Sequence, residues 1–411
     1  MSSIYYIIKE ENTKLSEKEA GNKEQIYRHY PEVLQIELTD RCNGECIMCS
    51  HFYKQNRNAS DLADGVLESL EPYLKYTKLV LLNGYGEPFV SSKYRRCMNL
   101  LKKYEAKAFV TTNLSVFNDD IADDAENIFS QISVSCHGVD KETYEKISRG
   151  LSFDRFVNNL EKLISLKNPP AIAISTVAMA ANIKYAEDMV RFAHRHHIGE
   201  VRFGRLGINS YIGNSDQDLS NYPFVAAHYF RKALKAADSY GIRLIIPENY
   251  LSEKYDDSIM LKQQLEIFDK IEFRYSDVFQ KQLQQEYRVE AENNKYIKQK
   301  LKPYDIDIKC SGICDWVCKG MYIDKNGNAF SCCESKEAFY GNILSDGMEE
   351  ILNGTSAQKT RKMFYDGNLP YFCINCPFIA NKELKMLSIE KKDSLYRAPD
   401  YSFVGESTYE E

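Results

Sequence analysis

The 411-residue chain lacks any apolar run near the ~20 residues that a membrane-crossing helix needs. It also lacks an excess of basic charge. Its 53 Lys and Arg stand against 59 Asp and Glu, a net charge of −6, which argues against a partner held through nucleic-acid phosphates. The first residues, Met1 to Glu10, have no basic stretch of the kind that opens a secretory signal. These absences predict a cytoplasmic protein with no nucleic-acid or membrane partner. What remains is ordinary for a folded enzyme, 44% hydrophobic and 27% charged, with room for two or three domains. The twelve cysteines are the exception, and in a reducing compartment they read as metal or redox ligands rather than disulfides.

Three of them fall within eight positions, Cys42, Cys46 and Cys49, spaced Cys-x3-Cys-x2-Cys. A loop of that spacing can wrap three thiolates around one compact inorganic centre. A cubane cluster has four irons, so three ligands leave one iron open. The other reading is a zinc loop closed by a fourth ligand such as His51.

Before this loop, residues 1–30 read as a short helical or loose leader, and Val33 to Leu38 alternate apolar and polar as a strand does. Strand candidates then recur at 79–82, 108–111, 132–135, 171–177 and 201–203, with helical stretches near 61–73, 94–104, 154–166 and 185–196 between them. That rhythm predicts an α/β fold, a partial (β/α)6 TIM-like barrel over 31–215, with its site at the C-terminal ends of the strands. Residues 216–305 read as the last barrel helix, a strand at 242–246 and a helical connector. After the second strand, Gly84-Tyr85-Gly86-Glu87-Pro88 offers two glycines for close approach to a ligand and a carboxylate suited to a cationic amine.

In order and spacing these features resemble the radical S-adenosylmethionine (radical SAM) superfamily. The resemblance implies a [4Fe–4S] cluster on Cys42, Cys46 and Cys49 whose open iron is chelated by SAM. The Gly86-Glu87-Pro88 core is similar to the family's Gly-Gly-Glu-Pro motif, which holds the SAM amino group, with Tyr85 here separating Gly84 from Gly86. Thr112 and Asn113 end the third strand as in relatives, Ser135 stands where they have the serine of Ser-Ile-Asp-Gly, and Ser175 and Asn182 follow on the fifth. Met48 replaces the usual aromatic that packs on adenine.

A second cysteine group lies in 306–380. Cys314 and Cys332 bracket Tyr322 to Phe330, which reads as a hairpin turning at Asn326-Gly327, and Cys373 and Cys376 follow. This resembles the small α+β "twitch" form of the SPASM domain, implying a second, auxiliary [4Fe–4S] cluster on Cys314, Cys332, Cys373 and Cys376; structural zinc is the alternative. Cys310, Cys318 and Cys333 are surplus, and Cys318 or Cys333 could replace a neighbour as ligand. Residues 381–411 read as a charged, peripheral tail.

The resemblance implies reductive cleavage of SAM to a 5′-deoxyadenosyl radical, with a low-potential donor such as flavodoxin or ferredoxin. The expected reaction is oxidation or epimerisation of a small polar molecule of sugar or aminocyclitol type, the auxiliary cluster accepting an electron. His137 is the candidate base, and Cys136 or Cys333 the candidate thiol for returning a hydrogen atom. A peptide-modifying enzyme and a non-catalytic zinc or iron–sulfur scaffold are the competing readings.

Overall fold

The computed structural model describes residues 3–49, 59–207, 215–269, 314–333, 338–368, 370 and 373. Its strands are β1 Val33–Ile36, β2 Leu79–Leu82, β3 Lys107–Thr112, β4 Phe129–Ser135, β5 Ala171–Ala178, β6 Glu200–Arg205, β7 Arg243–Ile245, β8 Gly320–Ile323, β9 Asn328–Phe330 and β10 Phe339–Asn342. All belong to one sheet, ordered β10-β9-β8-β1-β2-β3-β4-β5-β6-β7. Pairing is parallel from β8 through β1 to β7, and antiparallel across β8, β9 and β10.

Parallel neighbours need crossovers, and the intervening helices supply them. They include Tyr94–Lys103, Lys141–Ile147, Phe153–Ile164, Ala186–Arg195 and Pro223–Tyr240. The helix Asp119–Asn127 went unforeseen because it carries little apolar signal; Asn118 caps it by accepting from Ile121 N at 3.0 Å. The helix expected over 61–73 shrinks to Val66–Leu70 and a short 3₁₀ turn, because Asp61 bridges to Thr39 and Gly65 turns left-handed at φ 86°.

Alternation along the strands separates two faces. Leu34, Ile36, Leu38, Val80, Leu82, Val110, Ile132, Val134, Ile174, Val201 and Ile323 pack with helix residues such as Leu70, Leu101, Leu160, Val190 and Phe230 in the main core. Gln35, Glu37, Thr111, Ser133, Ser135, Ser175 and Tyr322 alternate with them on the inner face. Leu81, Phe109, Ala173 and Val177 share that face, which is therefore mixed, polar side chains standing among apolar ones.

Two features extend the expected barrel. The strand at 243–245 adds a seventh parallel strand, and β8 pairs with β1 in register from Val33↔Gly320 to Ile36↔Ile323. The C-terminal strands thus prolong the barrel sheet. The hairpin itself turns at Asn326-Gly327, closed by Asp324 N to Asn328 O at 3.0 Å. The first residues are docked rather than loose: helix Ile4–Gly21 buries Lys9, Asn12, Ser16 and Glu19. Ser16 and Thr13 each donate to Glu32 at 2.6 Å.

Candidate radical site at the strand ends

The cysteine loop leaves β1 and is clamped by backbone bonds to the turn after helix Lys141–Ile147. Glu45 N donates to Arg149 O at 2.7 Å, Ile47 N to Ile147 O at 3.0 Å, and Cys49 N to Cys46 O at 3.0 Å. At its start Asp40 pairs with Lys325 of the hairpin turn at 2.5 Å, so the second cysteine region holds the first in place. Cys42 Sγ accepts from Gly44 N at 3.4 Å and from Asn113 Nδ2 at 3.9 Å. Burial pushes the Cys42 thiol up to about 11 and Cys46 to about 12, so these sulfurs need a cation to become thiolates. Neither is in a disulfide; the Cys42 sulfur is enclosed although the residue itself reaches the surface, and Cys46 and Cys49 are half-buried. Three free thiols on one fixed loop offer ligands of the type and number for a cluster with one vacant iron, although in this structure they are not gathered about a single point. His51 lies outside the described residues.

The close approach that Gly84 and Gly86 allow is made to the protein itself. A Cβ on Gly86 would meet Thr39 O at 2.4 Å and Arg41 O at 2.5 Å, and one on Gly84 would meet Glu37 Cγ at 2.5 Å. The Glu87 carboxylate is likewise engaged internally: it accepts from Thr112 Oγ1 and Asn113 N, both at 2.7 Å, and from Phe89 N at 3.3 Å. Burial pushes it up to about 7. Glu87 therefore fastens the end of β3 against the cysteine loop, with Pro88 opening the 3₁₀ turn it caps. The turn beyond is strained, since Leu114 sits at φ 53°. Thr112 Oγ1 accepts from Leu114 N at 2.9 Å and Asn159 donates to Leu114 O at 2.9 Å.

Strand parity divides the next candidates. Cys136 points to the helix-side core, fully buried, its thiol donating to Gly138 O at 3.1 Å and pushed up to about 12 by burial. It does not reach the inner face, which corrects its reading as a hydrogen-atom donor. His137 follows, also buried. Its Nδ1 accepts from Val177 N at 3.2 Å, and burial lowers its pKa to about 4. A neutral ring with Nδ1 so engaged carries its proton on Nε2, which makes it a donor and corrects its reading as a base. Asn182 spends its amide on Met179 N, Val177 O and His137 O, tying β4 to β5. Ser135 and Ser175 are paired in register on the inner face and half-buried.

Met48 packs with Ile47, Ile147, Val177, Met179, Ala181 and Leu206 in a small apolar cluster beside the cysteine loop. Leu206 also lines a cavity of about 230 Å³ with Ala178, Arg205, Asp218, Ser220, Pro247 and Tyr250. The sequence reading missed this cavity. Its one signal was that Arg205 ends β6, at the carboxyl end where such folds place ligands.

In the second region, Cys314 caps the short helix Asp315–Lys319, Cys332 and Cys333 follow β9, and all three are half-buried. Cys373 is buried and its N donates to Pro370 O at 2.8 Å. Cys318 is buried, with Sγ 3.4 Å from Tyr27 Oη. Cys310 and Cys376 lie outside the described residues. Among the described residues no three His, Cys, Asp or Glu side chains lie close enough to hold a single ion.

A family model described as the Radical SAM superfamily matches residues 36–193, and one for an iron–sulfur cluster-binding domain, SPASM, matches 314–377. The chain is a radical SAM protein with a C-terminal SPASM domain. A radical SAM protein carries a [4Fe–4S] cluster with SAM, and its SPASM domain adds auxiliary iron–sulfur. The chain is 22% identical over 163 residues to a probable GTP 3′,8-cyclase of Methanocaldococcus jannaschii, covering 39% of this chain and 54% of that protein. It thus spans about half the length of the curated relatives it matches. Streptococcus suis SuiB bound to S-adenosylmethionine shares the fold at TM-score 0.54 and 14% identity, over 85% of this chain and 72% of that one. The structure of anSMEcpe with bound AdoMet does so at TM-score 0.54 and 16% identity, over 85% and 84%. No helix among the described residues is long and apolar enough to cross a membrane.

Proposed function

We propose that this radical SAM enzyme is an oxidoreductase that removes a hydrogen atom from a small polar substrate, of sugar or aminocyclitol type, held against the polar side chains of the sheet's inner face. The observation that carries this is the alternation that turns Gln35, Glu37, Thr111, Ser133, Ser135, Ser175 and Tyr322 inward, interspersed with Leu81, Phe109, Ala173 and Val177. Cys42, Cys46 and Cys49 would hold the SAM cluster, and Cys314, Cys332, Cys373 and Cys376 a single auxiliary one. When bound, these groups supply a 5′-deoxyadenosyl radical that takes a hydrogen atom from substrate, and a sink for the electron that the substrate then gives up.

The chain's own residues orient and shield. Met48, Met179 and Leu206 offer an apolar floor for adenine, Ser135 and Ser175 offer hydroxyls for ribose, and Glu87 fixes Thr112 and Asn113 without touching the ligand. Oxidation to a carbonyl also releases a proton. Glu37, buried on the inner face and accepting, among the described residues, from Tyr85 N at 2.8 Å and Lys325 N at 3.4 Å, is the carboxylate we assign to take it. Cys333, within electrostatic reach of Tyr322, replaces Cys136 as the thiol for an epimerising variant of the reaction.

A second reading is a peptide-modifying enzyme. It is supported by the fold shared with SuiB, also solved bound to its precursor peptide SuiA, at TM-score 0.55. Deuterium transfer decides between them: reconstituted enzyme is given perdeuterated sugars or aminocyclitols, then deuterated peptides, and label in 5′-deoxyadenosine is read by mass spectrometry. Label from the polyols alone upholds the first reading, and label from peptides alone replaces it with the second.

A further inference from the structure

His137 presents a hydrogen-bond donor that the described part of the protein does not use. Val177 N donates to Nδ1 at 3.2 Å and the Thr176 hydroxyl lies 3.3 Å from the same nitrogen, so Nδ1 is an acceptor and the ring proton sits on Nε2. Burial lowers the ring's pKa to about 4 and keeps it in this neutral form near pH 7. Among the described residues Nε2 finds no acceptor. Nor is it sealed in, because Tyr340 Oη is the one fully enclosed side-chain polar atom without a partner among those residues. An imidazole only 7% exposed thus turns its N–H to open space. A nearly buried donor without an acceptor is destabilising, and a ligand atom that accepts from it removes that cost.

The ring stands beside the apolar cluster of the cysteine loop. Strand alternation carries the inner face from Ser133 and Ser135 to His137, and on β5 from Ser175 to Val177, with Ser135 and Ser175 in register. Val177, whose amide holds the ring, packs with Met48, Met179 and Leu206. Asn182 fixes the arrangement: Nδ2 donates to Val177 O at 2.9 Å and His137 O at 3.3 Å, and Oδ1 accepts from Met179 N at 2.9 Å. One amide therefore holds His137, Val177 and Met179 together. An apolar floor with a single N–H at its edge suits a flat heteroaromatic ring whose faces are apolar and whose rim carries unprotonated nitrogens. Adenine is such a ring, with acceptors at N1, N3 and N7.

We propose that His137 donates from Nε2 to a ring nitrogen of the adenine of bound SAM and so selects that base. This rests on the proposed reading that Met48, Met179 and Leu206 form the floor for adenine. His137 takes no part in moving the hydrogen atom or the proton; it binds and orients the cofactor.

The test is equilibrium dialysis on the reconstituted full chain, with SAM and three deaza analogues that carry C–H in place of N1, N3 or N7. The wild type should bind one analogue about five- to tenfold more weakly than SAM, the effect of one hydrogen bond. Two variants separate the two ring nitrogens. Asparagine can set Oδ1 where Nδ1 lies and has nothing at Nε2, whereas glutamine reaches the Nε2 position with an amide N–H and has nothing at Nδ1. His137→Asn should bind SAM about five- to tenfold more weakly and no longer tell it from that analogue, while His137→Gln keeps the discrimination to within about threefold. A purely structural histidine gives the reverse order, because only the asparagine keeps the bond to Val177. SAM affinity of His137→Asn within about twofold of the wild type, or no analogue distinguished by the wild type, overturns the proposal. If His137→Asn does not fold, the wild type and His137→Gln decide: discrimination in both upholds the proposal, and its absence from either overturns it. Met48→Ala should weaken SAM and all three analogues alike by about threefold or more, and unchanged binding there overturns the floor reading beneath the proposal instead.

Discussion

The two cysteine regions are built on opposite electrostatic plans. The first loop is held by main-chain hydrogen bonds to Arg149 O and Ile147 O, and the ionisable group set behind it is a buried carboxylate, Glu87. Arg41 beside it is turned away to Asp61 at 2.5 Å, while Arg149 Nε donates to Glu45 O of the loop at 3.3 Å. The second region is an extension of the same sheet, and the group buried behind it is Arg361, which pairs with no carboxylate among the described residues. An anionic surround disfavours adding an electron and a cationic one favours it. The groups behind the two regions thus differ in charge type, Glu87 being raised to about 7 and partly neutral near that pH while Arg361 stays cationic.

The strongest way to break this comparison is to remove one set of thiols at a time. The Cys42/Cys46/Cys49 triple alanine variant should fall from about eight irons per chain to about four and lose SAM cleavage to background, by iron assay and 5′-deoxyadenosine chromatography. Cys332→Ala or Cys373→Ala should also lose about four irons yet keep SAM cleavage within about tenfold, while substrate oxidation disappears. Equal loss of cleavage in both sets would mean that the regions do not divide the labour.

Smaller changes sharpen it. Glu87→Ala orphans the buried Thr112 hydroxyl and Asn113 amide and should destabilise the metal-free chain by about 2–4 kcal/mol in urea unfolding, with Glu87→Gln milder. His137 makes stability depend on pH. Its native pKa of about 4 lies below the 6.5 of the unfolded chain, so below pH 6.5 the unfolded state binds a proton that the native state refuses. Between pH 7 and 5 the wild type should lose about 2 kcal/mol more than His137→Gln. Glu87, raised to about 7, works in the opposite sense, its contribution fading as pH rises from 4.5 through 7, which is why the difference between the two proteins is the quantity to read. Last, Asp40→Asn breaks the bond to Lys325 that ties hairpin to cysteine loop and should cost about 1 kcal/mol, checked by the urea midpoint.

Much of this was legible because it is local. Strand alternation, the Cys-x3-Cys-x2-Cys spacing and the Asn326-Gly327 turn are each written within a few residues, and the structure realises the strands and the hairpin where the pattern puts them. What stayed hidden was side-chain direction and long-range pairing. Neither the parity that sends Cys136 to the core nor the Val177 amide that occupies His137 Nδ1 can be read from the run Ser135-Cys136-His137. Glu87 looked free because its partners, Thr112 and Asn113, sit on the next strand. Helix Ile4–Gly21 looked peripheral because the face it buries is polar, and a polar face gives no hydrophobic period. Nothing near Val33 announces that Gly320 lies beside it.

That last pairing has a consequence for how the protein is made. A ribosome delivers β1 and its cysteine loop nearly three hundred residues before β8 emerges, and until then β1 is an open edge with its hydrogen-bonding groups unmet. Closing the longest loop in the sheet comes late and slowly. Iron loading of the first three thiols would then await completion of the chain, since the lysine that steadies Asp40 arrives only with the hairpin that follows β8.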